Sequence, residues 1–220
     1  MNENLKRVMN SDNGRVDLCK KKSLKFKIAR FIVKYKYSSI KKEFEYLNLG
    51  CGGNIYDDFL NADIAVTKKL IFNNHDNYIY MDATKKWNVA DNYFQGIYTE
   101  HMLEHLTYTQ AVFALSEAFR TLKKDGCIRI IVPSLDNYLD FEKGKEFIID
   151  KFGFRALAIS NLTQNAGHVS TWDFELLKHT MESIGFQKVR LESFQNEQNS
   201  KLLKDTEIRK WASIYVEATK

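Results

Sequence analysis

The chain has 220 residues, 44% of them hydrophobic and 28% charged, with a formal net charge of +5; these are values of an ordinary globular domain and exclude a disordered or fibrous chain. No apolar run approaches the ~18–20 residues needed to span a bilayer, and Met1 to Lys6 contain no apolar core followed by a small-residue cleavage site, so a soluble protein of the cytoplasm is expected. Cys19, Cys51 and Cys127 are widely spaced and odd in number, which fits neither a disulfide framework nor a zinc knuckle, and they read as free thiols.

The charge is unevenly spread. Residues 1–45 carry 13 Lys/Arg against 5 Asp/Glu, and the remainder carries 20 against 23. Residues 1–44 therefore read as a basic extension and 45–220 as one domain. Within the extension Leu24, Ile28, Phe31, Ile32 and Tyr35 follow helical spacing among Lys25, Lys27, Lys34 and Lys36. Such a helix suits contact with nucleic acid or an anionic membrane, or it packs its apolar stripe on the domain and leaves its lysines in water. The packed reading is preferred, because no aromatic-and-basic repeat accompanies the charge.

From residue 45 the chain alternates strand-like and helix-like segments, the pattern of a Rossmann-like α/β sheet with helices on both faces. The spacing predicts strands at 45–49, 60–65, 78–81, 94–99 and 127–132. The first ends in Gly50-Cys51-Gly52-Gly53, three glycines within four residues, where backbone can approach a ligand that any Cβ would obstruct. Asn54 to Phe59 is too short for a helix before the second strand. A helix is predicted from Thr109 to Lys124, with Val112, Leu115, Phe119 and Leu122 on one face and Gly126 beyond its end. Another is predicted over 171–184, capped by Thr171 and stopped near Gly185. Phe186–Ser193 and Trp211–Ala218 read as a terminal antiparallel pair, which makes seven strands, and the polar stretch Gln195–Lys204 between them reads as a mobile loop.

In a sheet of this kind ligands bind beyond the C-terminal strand ends. Those ends are Gly50-Cys51-Gly52, Asp63, Asp82, Glu100-His101 and Pro133-Ser134. Taken in order with Leu103-Glu104-His105-Leu106, Arg120 to Gly126 and Ile130 to Pro133, they resemble the class I S-adenosylmethionine-dependent methyltransferases, and most nearly the small bacterial type 11-like members. The resemblance runs from about Glu45 to Gly185. It implies S-adenosylmethionine as cofactor, with Gly50, Cys51 and Gly52 passing its methionine end and Asp63 accepting from its ribose hydroxyls. It further implies Asp82 and Ala83 at the adenine and Glu100 near the transferred methyl. Asn48 departs from the pattern, since members often carry an acidic residue there.

Methyl transfer needs a base only where the nucleophile must lose a proton, and His101, His105 and His168 are the candidates, His101 first because it follows the fourth strand directly and His168 next. His101-Met102-Leu103-Glu104-His105 also spells a pattern that can ligate zinc. A few members of the resembled family bind a divalent ion through Glu-x-x-Glu-His at this place. Here His101 replaces their first glutamate, and no metal is assigned. Thr99-Glu100-His101-Met102 stands where nucleobase and amide N-methyltransferases carry a motif that cradles planar nitrogen. The resemblance therefore points to an oxygen acceptor on a small molecule or a glycan, not to nucleic acid; segment 135–170, which departs most from the bare methyltransferase core, is expected to shape the acceptor site together with the basic arm. Peripheral contact with an anionic membrane through the basic arm stays open. The same resemblance allows a catalytically inert nucleoside-binding protein, and the basic arm alone allows a nucleic-acid-binding module.

Overall fold

The computed structural model describes residues 24–65, 68–196 and 200–220. Helix α1 (Leu24–Lys36) precedes β1 (Tyr46–Leu49), β2 (Leu60–Asp63), α2 (Lys68–Phe72), β3 (Tyr78–Tyr80) and β4 (Phe94–Glu100). Then come α3 (Tyr108–Thr121), β5 (Leu122–Pro133), α4 (Leu135–Leu139), α5 (Phe141–Phe152), α6 (Arg155–Gln164), α7 (Phe174–Ile184), β6 (Gln187–Glu192) and β7 (Ser213–Thr219). The seven strands lie in the order β3-β2-β1-β4-β5-β7-β6. Strands β1 to β5 are parallel, and β7 runs antiparallel between β5 and β6, as expected from the sequence.

The two faces of the sheet are built differently. Residues paired across strands share a face. One face presents Leu47, Leu60, Ile97, Ile128 and Ala218, which pack with Ala111, Leu115 and Ala118 of α3 and Leu177 and Met181 of α7 in the main core. On the other face the register lines up Tyr78, Asn61, Asn48, Tyr98, Arg129, Glu217 and Arg190, one from each strand in sheet order. This row is polar or aromatic throughout, and much of it is covered by chain that hydrogen-bonds to it. No helix lies between β1 and β2. In its place the Asn48 amide donates to the carbonyl of Asn54 (2.8 Å) and to Asn61 Oδ1 (2.9 Å). Asn61 in turn accepts from the Tyr56 N–H and donates to the carbonyls of Phe59 and Asn77. Arg129, fully buried, donates to Asp205, Glu217 and the carbonyls of Ser193 and Asn196. Helices α1 and α2 meet the sheet at the β3 edge, where Val33, Tyr37 and Leu70 pack on Tyr78 and Cys51.

Four local expectations are corrected. The helix predicted to run to Lys124 stops at Thr121. Its hydroxyl donates back to the Glu117 carbonyl (2.8 Å), buried Leu122 turns the chain into β5, and the Lys220 ammonium takes the carbonyls of Arg120 and Leu122. The cap of α7 is Asp173, whose Oδ1 accepts from the Leu176 N–H (2.8 Å), because Trp172 before it forms a bridge with Ser134 and the Thr171 carbonyl is held by the Tyr108 hydroxyl. The stretch around 195–204 is anchored in its described part: Leu202 is buried against Phe59 and Tyr98, and the Gln195 N–H donates to Asp205. Helix α1 buries Val33 with Tyr37 just beyond it, so the stripe of Ile28, Phe31, Ile32 and Tyr35 faces outward at 52%, 69%, 43% and 79% exposure. Residues 1–23, with Cys19, lie outside the described residues, and no described helix is long and apolar enough to cross a membrane.

Candidate functional site

Strand β1 delivers its glycine loop against β2. Gly50 has a φ of 71°, and its N–H donates to the Ala62 carbonyl at 2.8 Å. A Cβ on Gly50 would lie 2.3 Å from Met102 Cγ, so close approach as well as backbone sign requires glycine there. Gly52, with a φ of 54°, donates its N–H to Asp63 Oδ2 at 2.7 Å, while Asp63 Oδ1 accepts from the Ala65 N–H at 2.7 Å. The loop after β1 is thus closed onto the carboxylate at the end of β2. A Cβ on Gly52 or Gly53 would meet nothing within 4 Å, which leaves open space on that side of the loop. Cys51 contributes backbone only. Its side chain is buried with Val33, Leu70 and Tyr78, and burial, with the Asp63 charge next, drives its thiol pKa far up.

Asp82 follows β3. Burial raises its pKa, but hydrogen bonds from the Thr84 hydroxyl (2.7 Å) and N–H (3.1 Å), with Lys85 nearby, hold it below the ordinary carboxylate range. Ala83 packs against the main core. Beside Asp82 a cleft of about 460 Å³ opens towards α1, and Lys27, Arg30, Lys34, Lys85 and Lys86 make its lining strongly basic. The β3–β4 connection is fixed from behind. Arg120 donates to the carbonyls of Trp87 and Val89, and Glu117 accepts from the Trp87 N–H (2.7 Å).

Glu100 closes β4. It is buried and accepts from the Thr206 N–H (3.0 Å) and hydroxyl (2.6 Å), with Arg209 at 3.7 Å. The next residue, His101, has a φ of 53° and is fixed at three points. Its N–H donates to the Ile131 carbonyl (2.8 Å), Nε2 meets Ser213 Oγ (2.8 Å), and Nδ1 lies 3.2 Å from Glu104 Oε1. A carboxylate at Nδ1 assigns the proton there and leaves Nε2 as the basic atom. Glu104 is almost wholly buried. Burial pushes its carboxyl up, but the hydrogen bond and charge of His101, with His105 behind it, outweigh this and hold it low.

His168 arrives from the segment that the sequence assigned to the acceptor site. The Val169 and Ser170 N–H groups donate to the Glu104 carbonyl (2.8 and 3.2 Å), which docks 168–170 on the short turn Leu103–His105. The rings of His105 and His168 lie 5.1 Å apart, and His168 Nε2 is 4.0 Å from Glu104 Oε1. The structure therefore brings His101, Glu104, His105 and His168 together at the end of β4, and Gly52 together with Asp63 at the ends of β1 and β2. Sequence reading missed Asn61, Ser213 and Thr206. Asn61 lies in a short strand whose face the pattern does not fix, and the other two act on residues more than 100 positions earlier.

Residues 47–130 match the family model described as a methyltransferase domain. No curated protein matches the sequence. Among solved structures, a SAM-dependent methyltransferase of Archaeoglobus fulgidus is similar with a TM-score of 0.52 and 17% identity, over 88% of this chain and 94% of that one. A SAM-dependent methyltransferase of Thermotoga maritima, described as a possible histamine N-methyltransferase, is similar with a TM-score of 0.51 and 17% identity, over 89% of this chain and 92% of that one. At these identities the likeness is one of fold.

Proposed function

We propose that this chain, whose residues 47–130 match the methyltransferase domain and whose sheet has the fold of S-adenosylmethionine-dependent methyltransferases, moves a methyl group from S-adenosylmethionine to an oxygen of a small molecule or glycan. The observation that carries the reading is the glycine loop of β1 closed on Asp63, with Asp82 at the next strand end. When bound, the cofactor supplies a methyl on a positively charged sulfur. Each Asp63 oxygen already accepts one N–H, and a carboxylate offers about four acceptor positions, so two remain for a pair of ribose hydroxyls. Asp82 Oδ2, set against only an exposed lysine at 3.4 Å, has room to accept from an adenine amine beside Ala83. The backbone of Gly50, Cys51 and Gly52 would line the methionine end. Catalysis would come mainly from holding the acceptor in near-attack geometry.

His101 is the preferred base. Glu104 holds Nδ1–H, so the Nε2 lone pair can take a proton, directly or through the Ser213 hydroxyl now bonded to it. Glu100 then serves by fixing the segment before β7 that carries Ser213. His168 stands on the acceptor side of the same cluster. Buried free Cys51 and Cys127 are compatible with a reducing cytoplasm. The test is calorimetric titration with S-adenosylmethionine beside Asp63→Ala, followed by transfer of labelled methyl to hydroxylated metabolites and glycans. Saturable binding lost in the variant, with transfer to such an acceptor, is the expected result. Methylation of nucleic acid or protein alone would overturn the oxygen-acceptor reading, and binding without any transfer would favour an inert nucleoside-binding protein.

The outward face of α1 supports a second element of the reading, contact with an anionic membrane surface. Ile28, Phe31 and Tyr35, at 52–79% exposure, stand among exposed Lys27, Arg30 and Lys34, which pairs insertable apolar groups with charge complementary to acidic headgroups. Co-sedimentation with phosphatidylglycerol vesicles, weakened by salt, absent with phosphatidylcholine and lost in Phe31→Asp, is the expected outcome. Equal recovery with both vesicle types would remove this element.

A further inference from the structure

We propose that Glu104, His105 and His168 form a site for one divalent transition-metal ion of the zinc type. One ligand atom from each lies within 4.8 Å of the others. A tetrahedral ion with bonds of about 2.0–2.1 Å holds its ligands ~3.3 Å apart, so small side-chain rotations close the set. Three further observations converge on the same point.

The first is the carboxylate. Glu104 is 1% exposed, and apart from His101 Nδ1 at 3.2 Å its oxygens have no hydrogen-bond partner among the described residues. Its nearest partners are His101 Nδ1 at 3.2 Å and His168 Nε2 at 4.0 Å. One imidazole N–H leaves most acceptor positions of a buried carboxylate empty, which is costly, and a cation between Glu104 and His168 would fill them. The second is ring orientation. His168 Nδ1 lies 2.7 Å from the Leu162 carbonyl and His105 Nδ1 lies 3.4 Å from the Gly167 carbonyl. A carbonyl accepts only from N–H, so each ring carries its proton on Nδ1 and keeps the Nε2 lone pair for a metal, the way ligating histidines are ordinarily held. The third is assembly and access. Docking of Val169 and Ser170 on the Glu104 carbonyl fixes His168 opposite the turn, while His105 is exposed and gives an ion its way in.

Two imidazoles and one carboxylate suit zinc, cobalt, nickel or iron rather than magnesium or calcium, which take oxygen ligands. Three protein ligands leave a coordination position open, and His101 remains outside the set, bonded to Ser213 and paired with Glu104. The site is independent of methyl transfer.

The full chain, stripped with chelator and dialysed, is titrated with Zn2+ against a chromophoric competitor, and with Co2+ read by visible absorption. One equivalent per chain should bind, with the intense Co2+ bands of low-coordinate geometry. His105→Ala, exposed and so least able to disturb folding, and His168→Ala should each weaken binding at least tenfold and bleach those bands, as even altering an outer partner of a metal ligand costs about 10–100-fold. The exposed His179→Ala should leave both unchanged. Circular dichroism and S-adenosylmethionine titration of the same samples separate loss of metal from loss of fold or of the cofactor site. Absence of binding to wild type, or binding that survives both variants, would overturn the site whatever the cofactor titration shows.

Discussion

Replacing Gly50 by alanine tests whether the loop after β1 is held by close approach as well as by backbone sign. At a φ of 71° an alanine pays the left-handed penalty of about 1–2 kcal/mol. Its Cβ would stand 2.3 Å from Met102 Cγ and 2.6 Å from Met102 Cβ. Met102 is buried in the main core and its Cβ cannot swing away, so the collision adds the overpacking cost of about 1–3 kcal/mol. The total of about 2–5 kcal/mol is a large share of the ~5–15 kcal/mol by which domains are stable. Gly52→Ala, at a φ of 54° with nothing within 4 Å, carries only the backbone penalty. Gly53→Ala carries neither and should be neutral or stabilising by up to about 1 kcal/mol. Urea unfolding of the three variants should rank them in that order. Because the Gly52 N–H holds Asp63, Gly50→Ala should also weaken S-adenosylmethionine binding in calorimetry. A Gly50→Ala midpoint equal to that of Gly53→Ala would show that neither backbone sign nor Met102 requires glycine at position 50.

Arg129→Met leaves buried Asp205 without its cation and Glu217 with only Arg190 at 3.5 Å, and should cost about 3–5 kcal/mol by urea unfolding at pH 7. Burial already holds Glu217 above the ordinary range against the opposing Arg129. An acid whose folded pKa is raised destabilises above that pKa and ceases to do so as pH falls through it, so the deficit of the variant should shrink from pH 7 towards pH 5, and a constant deficit would argue against a charge origin. Asn48→Asp, although it restores the residue type common in the resembled family, turns two donated bonds into contacts between acceptors at Asn54 and Asn61; a loss of about 2 kcal/mol or more is expected in the same assay. Cys51 and Cys127 are buried, and burial, with the charge of Glu217 next, pushes the Cys127 thiol to about 12. Neither should be alkylated by iodoacetamide at pH 8 in the native protein, by mass spectrometry, whereas both should react in denaturant.

The sheet was legible because its signals are local. Strands of Ile, Val, Leu and Tyr between turns, and strand ends carrying Gly50, Asp63 and Asp82, are properties of a few adjacent residues. What escaped depends on distant residues. The end of α3 is set by Lys220, about 100 positions away, which takes the carbonyls that a further helical turn would have used. On α1 the spacing marks the stripe of Ile28, Phe31, Ile32 and Tyr35, but the buried side is Val33 with Tyr37, because Tyr37 also bonds the β3 edge through its carbonyl and thereby fixes the rotation of the helix. In the site, the pattern at 101–105 was visible, whereas the approach of His168 depends on two N–H groups docking on the Glu104 carbonyl, which no spacing encodes.

The polar row across the second face explains how core and site are joined. A sheet face covered by a helix needs apolar residues, and the helix can pack in more than one register. Here Arg129 fixes the returning chain with directed bonds to Asp205 and to the carbonyls of Ser193 and Asn196. Asp205 is followed by Thr206, whose N–H and hydroxyl grip Glu100, and the same returning segment leads to Ser213, which meets His101. The position of the candidate base is therefore set from two sides, by Glu104 on its own turn and by a chain of bonds that begins at Arg129 in the middle of β5. It follows that Arg129→Lys, which keeps charge but loses the fork reaching four partners, should disturb the end of β4 more than its stability cost alone implies. Chemical shifts of the His101 ring should move in that variant while those of His179 stay in place; unchanged His101 shifts would show that the β4 end is held by Glu104 and Ile131 alone.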